Sequence, residues 1–488
     1  MIDRRELLAR AGGGALFFAL PDELLAAAED WLDAHPSLSR RALRALRGAV
    51  RGPVLTGGPG YASARRVYNQ RFSGIRPEAV VQPLDVRDVQ GVVRWADRFG
   101  VRLVARSGGH SYAGYSTVRN GVVVDLRRLR GIRVNTGSRR ATVGAGAQLI
   151  DVYAALSRRG VTVPAGTCPS VGIGGLALGG GYGLASRRFG LTADNIRALT
   201  IVTADGRARR VDADSDRDLF WACRGGGGGS FGIVTGFEFQ VHRARGASYF
   251  MLSWPWGAAG QAIAAWQRFA PDAPDALTTV LSLGTGGPQV RALGQFFGSP
   301  TRLRRLLRPL TRVPGASLST SSSGYFPLML RWAGCLDDGL RACHTAGTRP
   351  GGRLPRDAFH ARSDYVGRPL SARGRATMIR WIERRDRSPS LGSGALLLDA
   401  YGGAINRVPE DATAFAHRDQ LFSIQYLAYF GGAAAGRASR AWINGVHRAM
   451  RPFVSGQAYQ NCIDADLRGW QRAYYGRNLA RLRDVKAR

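Results

Sequence analysis

The chain has 488 residues, 45% of them hydrophobic, which excludes global disorder and exceeds what one ordinary core accommodates, so two domains are expected. Its net charge of +34 comes from 69 basic against 35 acidic residues, and Lys486 is its single lysine. The arginines are scattered in short runs such as Arg40-Arg41 and Arg304-Arg305, without zinc-finger spacing or an RNA-recognition aromatic motif, so no nucleic-acid partner is expected.

In chain order, Arg4-Arg5 precede a weakly apolar stretch, residues 11–20, and then Ala26-Ala27-Ala28. Residues 1–28 are similar to a twin-arginine export signal, which would carry the folded protein out of the cytoplasm. Asp22 and Glu23 interrupt the apolar run, so an ordinary amphipathic helix on a cytoplasmic protein is the competing reading. No run of 18 apolar residues follows, and no membrane insertion is expected. Residues 37–60 predict a helix running into a Gly/Pro-rich loop. A short strand over 79–83 leads to Asp85, which caps a helix through Phe99. Residues 101–105 alternate as a strand and enter a first glycine cluster. Residues 121–126 predict another strand, 132–134 and 141–143 a hairpin, and 149–158 a helix. Residues 161–163 then reach a second cluster. Residues 196–202 and 208–211 flank the hairpin signal Asp205-Gly206, and 218–221 enter a third cluster.

Beyond about Val241 the texture changes. Strands over 278–283, 396–401 and 423–429, with helices between them, predict an antiparallel sheet backed by helices, a second domain of α+β type. A final helix is predicted over 470–485. None of the five cysteines forms a Cys-x-x-Cys pair, so no metal site is expected. Cys335 and Cys343 are close enough to bridge in an exported protein, and two buried free thiols are the alternative.

The 65 glycines concentrate where the chemistry is. In Arg106-Ser107-Gly108-Gly109-His110-Ser111-Tyr112, adjacent glycines after a strand let backbone N–H groups turn toward one anionic group. The second cluster reads Gly166-Thr167-Cys168-Pro169-Ser170-Val171-Gly172-Ile173-Gly174-Gly175, then Leu176-Ala177-Leu178-Gly179-Gly180-Gly181-Tyr182-Gly183. Its window 172–177 satisfies the G-x-G-x-x-A dinucleotide fingerprint, and Asp194 stands where a ribose-binding acid would be sought. Yet Gly179 to Gly183 would break the required helix within two turns, which argues against a nicotinamide-binding Rossmann unit.

With Arg224, the five glycines 225–229 and Ser230-Phe231-Gly232-Ile233-Val234, and with the tail Tyr459-Gln460-Asn461, Asp464, Trp470 and Ala473-Tyr474-Tyr475-Gly476, these clusters resemble the berberine bridge enzyme-like FAD-linked oxidases, of the vanillyl-alcohol-oxidase or PCMH-type flavoprotein superfamily. The resemblance runs from about residue 55 to the end. It implies an α+β fold: a two-subdomain PCMH-type FAD-binding domain over 50–245 and an α+β substrate domain with an antiparallel sheet over 246–451. Residues 452–488 would return to the FAD domain. The implied cofactor is FAD attached twice, by the His110 imidazole to the flavin 8α carbon and by the Cys168 sulfur to C6. A neutral imidazole and a thiolate are the nucleophiles an electron-poor ring accepts. Further implied cofactor contacts are Arg106, Ser107, Gly108, Gly109, Ser111, Gly166, Thr167, Val171, Gly172, Gly174, Gly175, Gly179, Gly180, Gly183, Ile233 and Asn461. The glycines of the first two clusters would hold the pyrophosphate through backbone N–H groups.

The implied reaction is oxidation of an alcohol or lactol-type small molecule, hydride passing to flavin N5 while a base takes a proton. Oxygen then takes the electrons and yields H2O2. Val171 matches the position that in this family gates oxygen access. A dehydrogenase using another acceptor and a catalytically weakened flavin-binding protein are the alternatives, and a monomer is expected. In Asn461-Cys462-Ile463-Asp464, Cys462 replaces the tyrosine that the family usually uses as base. Cys462 is therefore the candidate base, with Tyr401, Gln425, Tyr426 and Tyr459 as other pocket candidates. The chain stops at Arg488, short of the family's Asp-Pro-containing C-terminal strand, which leaves the completeness of the pocket open.

Overall fold

In the computed structural model, which describes residues 38–488, short valine-rich runs build the first sheet. Ala79–Val81 and Gly121–Asp125 are buried along their whole length, as expected of strands covered on both faces. They pair in parallel, and Gly121–Asp125 pairs in parallel with Arg102–Arg106. Parallel neighbours need a crossover, and the helix Val86–Phe99 supplies one. The Asp85 carboxylate accepts the Arg87 and Asp88 N–H groups and caps that helix, as its sequence predicts. Where a loop is predicted after the first helix, Arg40–Ala49, the chain instead forms an edge strand, Val54–Leu55, and a helix, Gly58–Ala64. Pro59 stands in the first turn of that helix, where no N–H is needed.

The second sheet has five antiparallel strands in the order Ile132–Asn135, Arg140–Gly144, Ile233–Gln240, Ile196–Val202, Ala208–Asp212. Both predicted hairpins lie in it, joined by the strand that follows the third glycine cluster. The third sheet has seven antiparallel strands, running Ser317–Gly324, Gly246–Trp254, Gln289–Phe296, Leu277–Gly284, Gly394–Ala400, Phe422–Tyr429, Phe359–Val366. Side chains alternate across a strand, so Leu396 and Leu398 pack with the helices Ala259–Phe269, Ala372–Asp386 and Gly432–Met450, while Asp399 takes the opposite face.

Apolar side chains gather into two main clusters. One spans residues 42–247 and is joined by Tyr325, Leu328, Met329 and the C-terminal Tyr474, Tyr475 and Leu482. The other spans residues 250–450. The fold is α+β, with antiparallel sheets predominating. The predicted final helix is two helices, Trp470–Tyr475 and Leu479–Ala487, because Gly476 turns the backbone to φ 50° between them. Cys335 and Cys343 form a disulfide. Among the described residues no helix is long and apolar enough to cross a membrane. The export-signal reading of residues 1–28 falls outside the described residues.

Candidate active site

Two glycine turns meet backbone to backbone. A Cβ on Gly108 would fall 2.2 Å from the Gly172 nitrogen, and one on Gly172 would fall 2.2 Å from the Gly108 nitrogen and 2.0 Å from Ser107 Oγ. Only glycine at both positions lets the turn after Arg102–Arg106 seat against the turn that opens the helix Ile173–Leu178. Ser107 Oγ donates to the Ala145 carbonyl at 2.5 Å and pins the first turn. The N–H groups of Gly108, Gly109 and His110 meet no acceptor among the described residues, a nest suited to an anionic group. Gly175 is exposed, with open space about it.

Not every predicted cofactor contact faces that opening. The Arg106 side chain points inward, is 2% exposed, and donates to Asp125 at 2.7 Å and to the Ala64 and Arg65 carbonyls. It braces the base of the turn. The bare faces of Gly179, Gly180 and Gly183 are filled by Asn461, Phe415 and the Ala165 carbonyl, so the missing side chains there make room for protein. The Asn461 amide donates to the Leu176 carbonyl at 2.9 Å and to Tyr459 Oη at 2.8 Å, which ties the C-terminal segment to the second turn. Gly174 donates its N–H to the Ala145 carbonyl, the Gly166 carbonyl accepts from Tyr153, and Ser111 Oγ accepts from the Tyr115 N–H. Thr167 and Val171 are half-buried beside Cys168, and Ile233 starts the central strand of the second sheet. Asp194 is ion-paired with Arg418 at 2.6 Å, so it is not a ribose ligand, and the helix after Gly172 is six residues long.

The two predicted nucleophiles stand on the touching turns. The His110 ring stacks on Tyr68 with centroids 4.1 Å apart, and its Nε2 lies 3.0 Å from Ser170 Oγ. Burial lowers the imidazole pKa to about 3, so the ring is neutral. Cys168, two residues before Ser170, is exposed. Surrounding protein and the charges of Asp357 and Asp399 raise its thiol pKa.

Facing these turns is one face of the seven-stranded sheet. Tyr182, from the second glycine cluster, donates to Asp399 at 3.2 Å and lies 3.2 Å from Ser423 Oγ. Burial raises the Asp399 carboxyl to about 6. The Gln425 amide donates to Tyr112 Oη at 2.8 Å and to Cys462 Sγ at 3.2 Å. Cys462 is buried and its thiol is pushed up to about 12, so it stays protonated at neutral pH and is a poor base. This environment does not favour the base role expected of it from the sequence. Tyr459 accepts the Gly181 N–H at 2.9 Å, and Tyr401 and Tyr365 share a hydrogen bond of 2.8 Å. Burial raises all three phenols above their ordinary value. Tyr426 lies on the other face of its strand, against His447, and is not part of this site. Asp399 escaped sequence reasoning, its one signal being an acid within an apolar alternating strand.

The segment 77–212 matches the family model of an FAD binding domain, and residues 458–488 match the model described as berberine and berberine like. An FAD-linked oxidoreductase of Bacillus subtilis (strain 168) is 34% identical over 433 residues, covering 88% of this chain and 91% of the relative. The BBE-like 1 protein of Physcomitrella patens is 32% identical, with a TM-score of 0.84 over 91% of this chain and 95% of that one. The chain belongs to the berberine bridge enzyme-like FAD-linked oxidases. The xylooligosaccharide oxidase from Myceliophthora thermophila C1, solved in complex with xylobiose, is 26% identical, with a TM-score of 0.81 and coverage of 91% and 95%. As a family member this berberine bridge enzyme-like chain is an FAD-dependent oxidoreductase. Its residues fit that cofactor: a nest of free N–H groups, a neutral imidazole, and an accessible thiol.

Proposed function

We propose that this oxidoreductase oxidises an alcohol or lactol carbon of a carbohydrate or sugar-bearing secondary metabolite, with FAD tethered through His110 and Cys168 and O2 as electron acceptor. The observation that carries the chemistry is Asp399. A carboxylate titrating at about 6 is largely ionised at neutral pH, yet basic enough to take a hydroxyl proton in step with hydride loss. FAD supplies the ring that accepts the hydride. The substrate loses one hydride and one proton to become a carbonyl or lactone, and O2 leaves as H2O2.

The Tyr182 hydroxyl steadies the Asp399 carboxylate, and the half-buried rings of Tyr112 and Tyr182 offer stacking surface for a sugar ring. The Cys462 thiol and Gln425 brace Tyr112 at the cleft wall. The xylobiose-bound relative supports a carbohydrate substrate. The Cys335–Cys343 disulfide supports an extracytoplasmic location and hence the twin-arginine reading. We assign residues 50–245 and 452–488 to the FAD-binding domain and 246–451 to the substrate domain.

Acid precipitation of the purified protein tests the tether. Yellow colour should stay in the pellet, and peptide mass mapping should find flavin on both His110 and Cys168. His110→Ala and Cys168→Ala should each leave one link and the double variant none. Colour released from the wild type by acid overturns the covalent reading. Peroxide release across a panel of sugars and alcohols tests the oxidase, and turnover seen only with an artificial acceptor would make it a dehydrogenase.

A further inference from the structure

A second cavity opens beside the active-site turns; neither His110 nor Cys168 lines it, but Tyr68, which stacks on His110, does. It encloses about 480 Å³, within the roughly 300–1,000 Å³ range of small-molecule pockets, and touches the active-site turn only at Arg106, Ser107 and Gly108. Seven arginines line it, and no aspartate or glutamate does among the described residues. Three have carboxylate partners behind the wall. Arg106 and Arg127 share Asp125, and Arg349 pairs with Asp151 at 2.5 Å. The other four have no carboxylate partner among the described residues; Arg66, Arg128 and Arg130 are exposed at the rim and Arg356 is half-buried.

Those four do not neutralise one another. Arg128 donates to Gln82 at 3.2 Å and Arg356 to the Val67 carbonyl at 3.2 Å, which leaves most of their N–H groups unused. Burial lowers the pKa of Arg356, and the positive charges of Arg66 and Arg65 lower it further. The Nε of Arg106, a side chain 2% exposed on the same wall, is buried without an acceptor. Like charges held together in a recess raise the local potential, and the guanidinium fork matches phosphate and carboxylate oxygens in pairs.

We infer that this recess is a second ligand site, for a small anion bearing at least two phosphate or carboxylate groups. Four guanidiniums without a carboxylate partner line one recess, three of them on exposed side chains, and an anion with two charged groups would bridge more of them than a monovalent ion does. The site joins distant parts of the chain. Arg66, Arg128 and Arg130 come from the region of the first sheet, and Arg356 comes from the segment just before the strand Phe359–Val366. Asp151 already bonds Arg349 and His344 of that segment, so a bound anion would add a second clasp at the same seam.

The flavin-loaded protein should be titrated with inorganic pyrophosphate and separately with citrate, in a calorimeter and by thermal shift, against sodium chloride at matched ionic strength. Saturable binding of either anion and a rise in Tm are expected, and the preferred anion names the phosphate or carboxylate source. Arg128→Gln and Arg356→Gln should each weaken binding about tenfold or more, with flavin content and turnover unchanged. Heats and Tm shifts reproduced by chloride overturn the site, as does equal affinity in both variants. Loss of flavin from either variant would overturn it too, by assigning these arginines to the cofactor's own phosphates. Because the readout is binding, a missing oxidase activity leaves the result interpretable.

Discussion

At the scale of single residues, the proposed base is Asp399 rather than Cys462, the base expected from the sequence. Both are held in the same aromatic pocket, and burial raises both, but from starting points about five units apart. The carboxyl therefore titrates near neutrality and the thiol far above it. Asp399→Asn should cut kcat by about 10²–10⁴ while flavin stays bound, and the wild-type kcat/KM should climb with pH through about 6 and then level. Cys462→Ser should leave that pH profile in place; a profile abolished in the serine variant would return the base to the thiol. The same shift has a sign for stability. Folded Asp399 holds its proton to a higher pH than the unfolded chain does, so its contribution is full below about 4 and is lost as pH rises through about 6. Asp399→Asn should accordingly raise Tm at pH 8 and leave it unchanged at pH 4. His110 and Cys168 were legible in sequence as candidate anchors because each sits inside its own local motif.

At the scale of elements, the glycine turns read correctly as backbone devices, but what they accommodate was not legible. Gly108 and Gly172, 64 positions apart (172 − 108), exist for each other. Gly172→Ala forces the two turns apart and should lower stability by about 3 kcal/mol or more, with loss of flavin loading, measured by denaturant titration and visible absorbance. Gly175→Ala is the control: nothing lies within 4 Å of its Cβ position, so Tm should hold. Equal destabilisation by the two changes would show that the turns do not depend on their contact. The final helix illustrates the opposite error. Its composition is helical throughout, and only the backbone turn at Gly476 divides it.

At the scale of the whole molecule, the arginine excess does more than set net charge. Arg187, 1% exposed, reaches from the second glycine region into the other half and donates to the Leu277, Pro271, Ala273 and Tyr401 carbonyls. Arg385 serves the Leu391, Gly392 and Tyr429 carbonyls in the same way. Buried carbonyls left without donors are costly, so Arg187→Met should destabilise by about 3 kcal/mol or more and weaken activity by loosening the halves around the cleft. Arg187→Lys should not restore Tm, because one ammonium cannot reach four carbonyls as a planar fork does. Full rescue by lysine would mean that charge alone matters there.

The sequence by itself determined the two glycine turns, the family with its FAD cofactor, and most of the succession of strands and helices, because each depends on residues a few positions apart. The tertiary structure alone decided the surroundings of Asp399 and Cys462, the burial of Arg106 and the arginine-lined recess. Those properties depend on which distant groups share a buried space: Tyr182 against Asp399, Asp125 beneath Arg106, and Arg356 beside Arg66. A pKa or an unbalanced charge belongs to such a neighbourhood rather than to a motif.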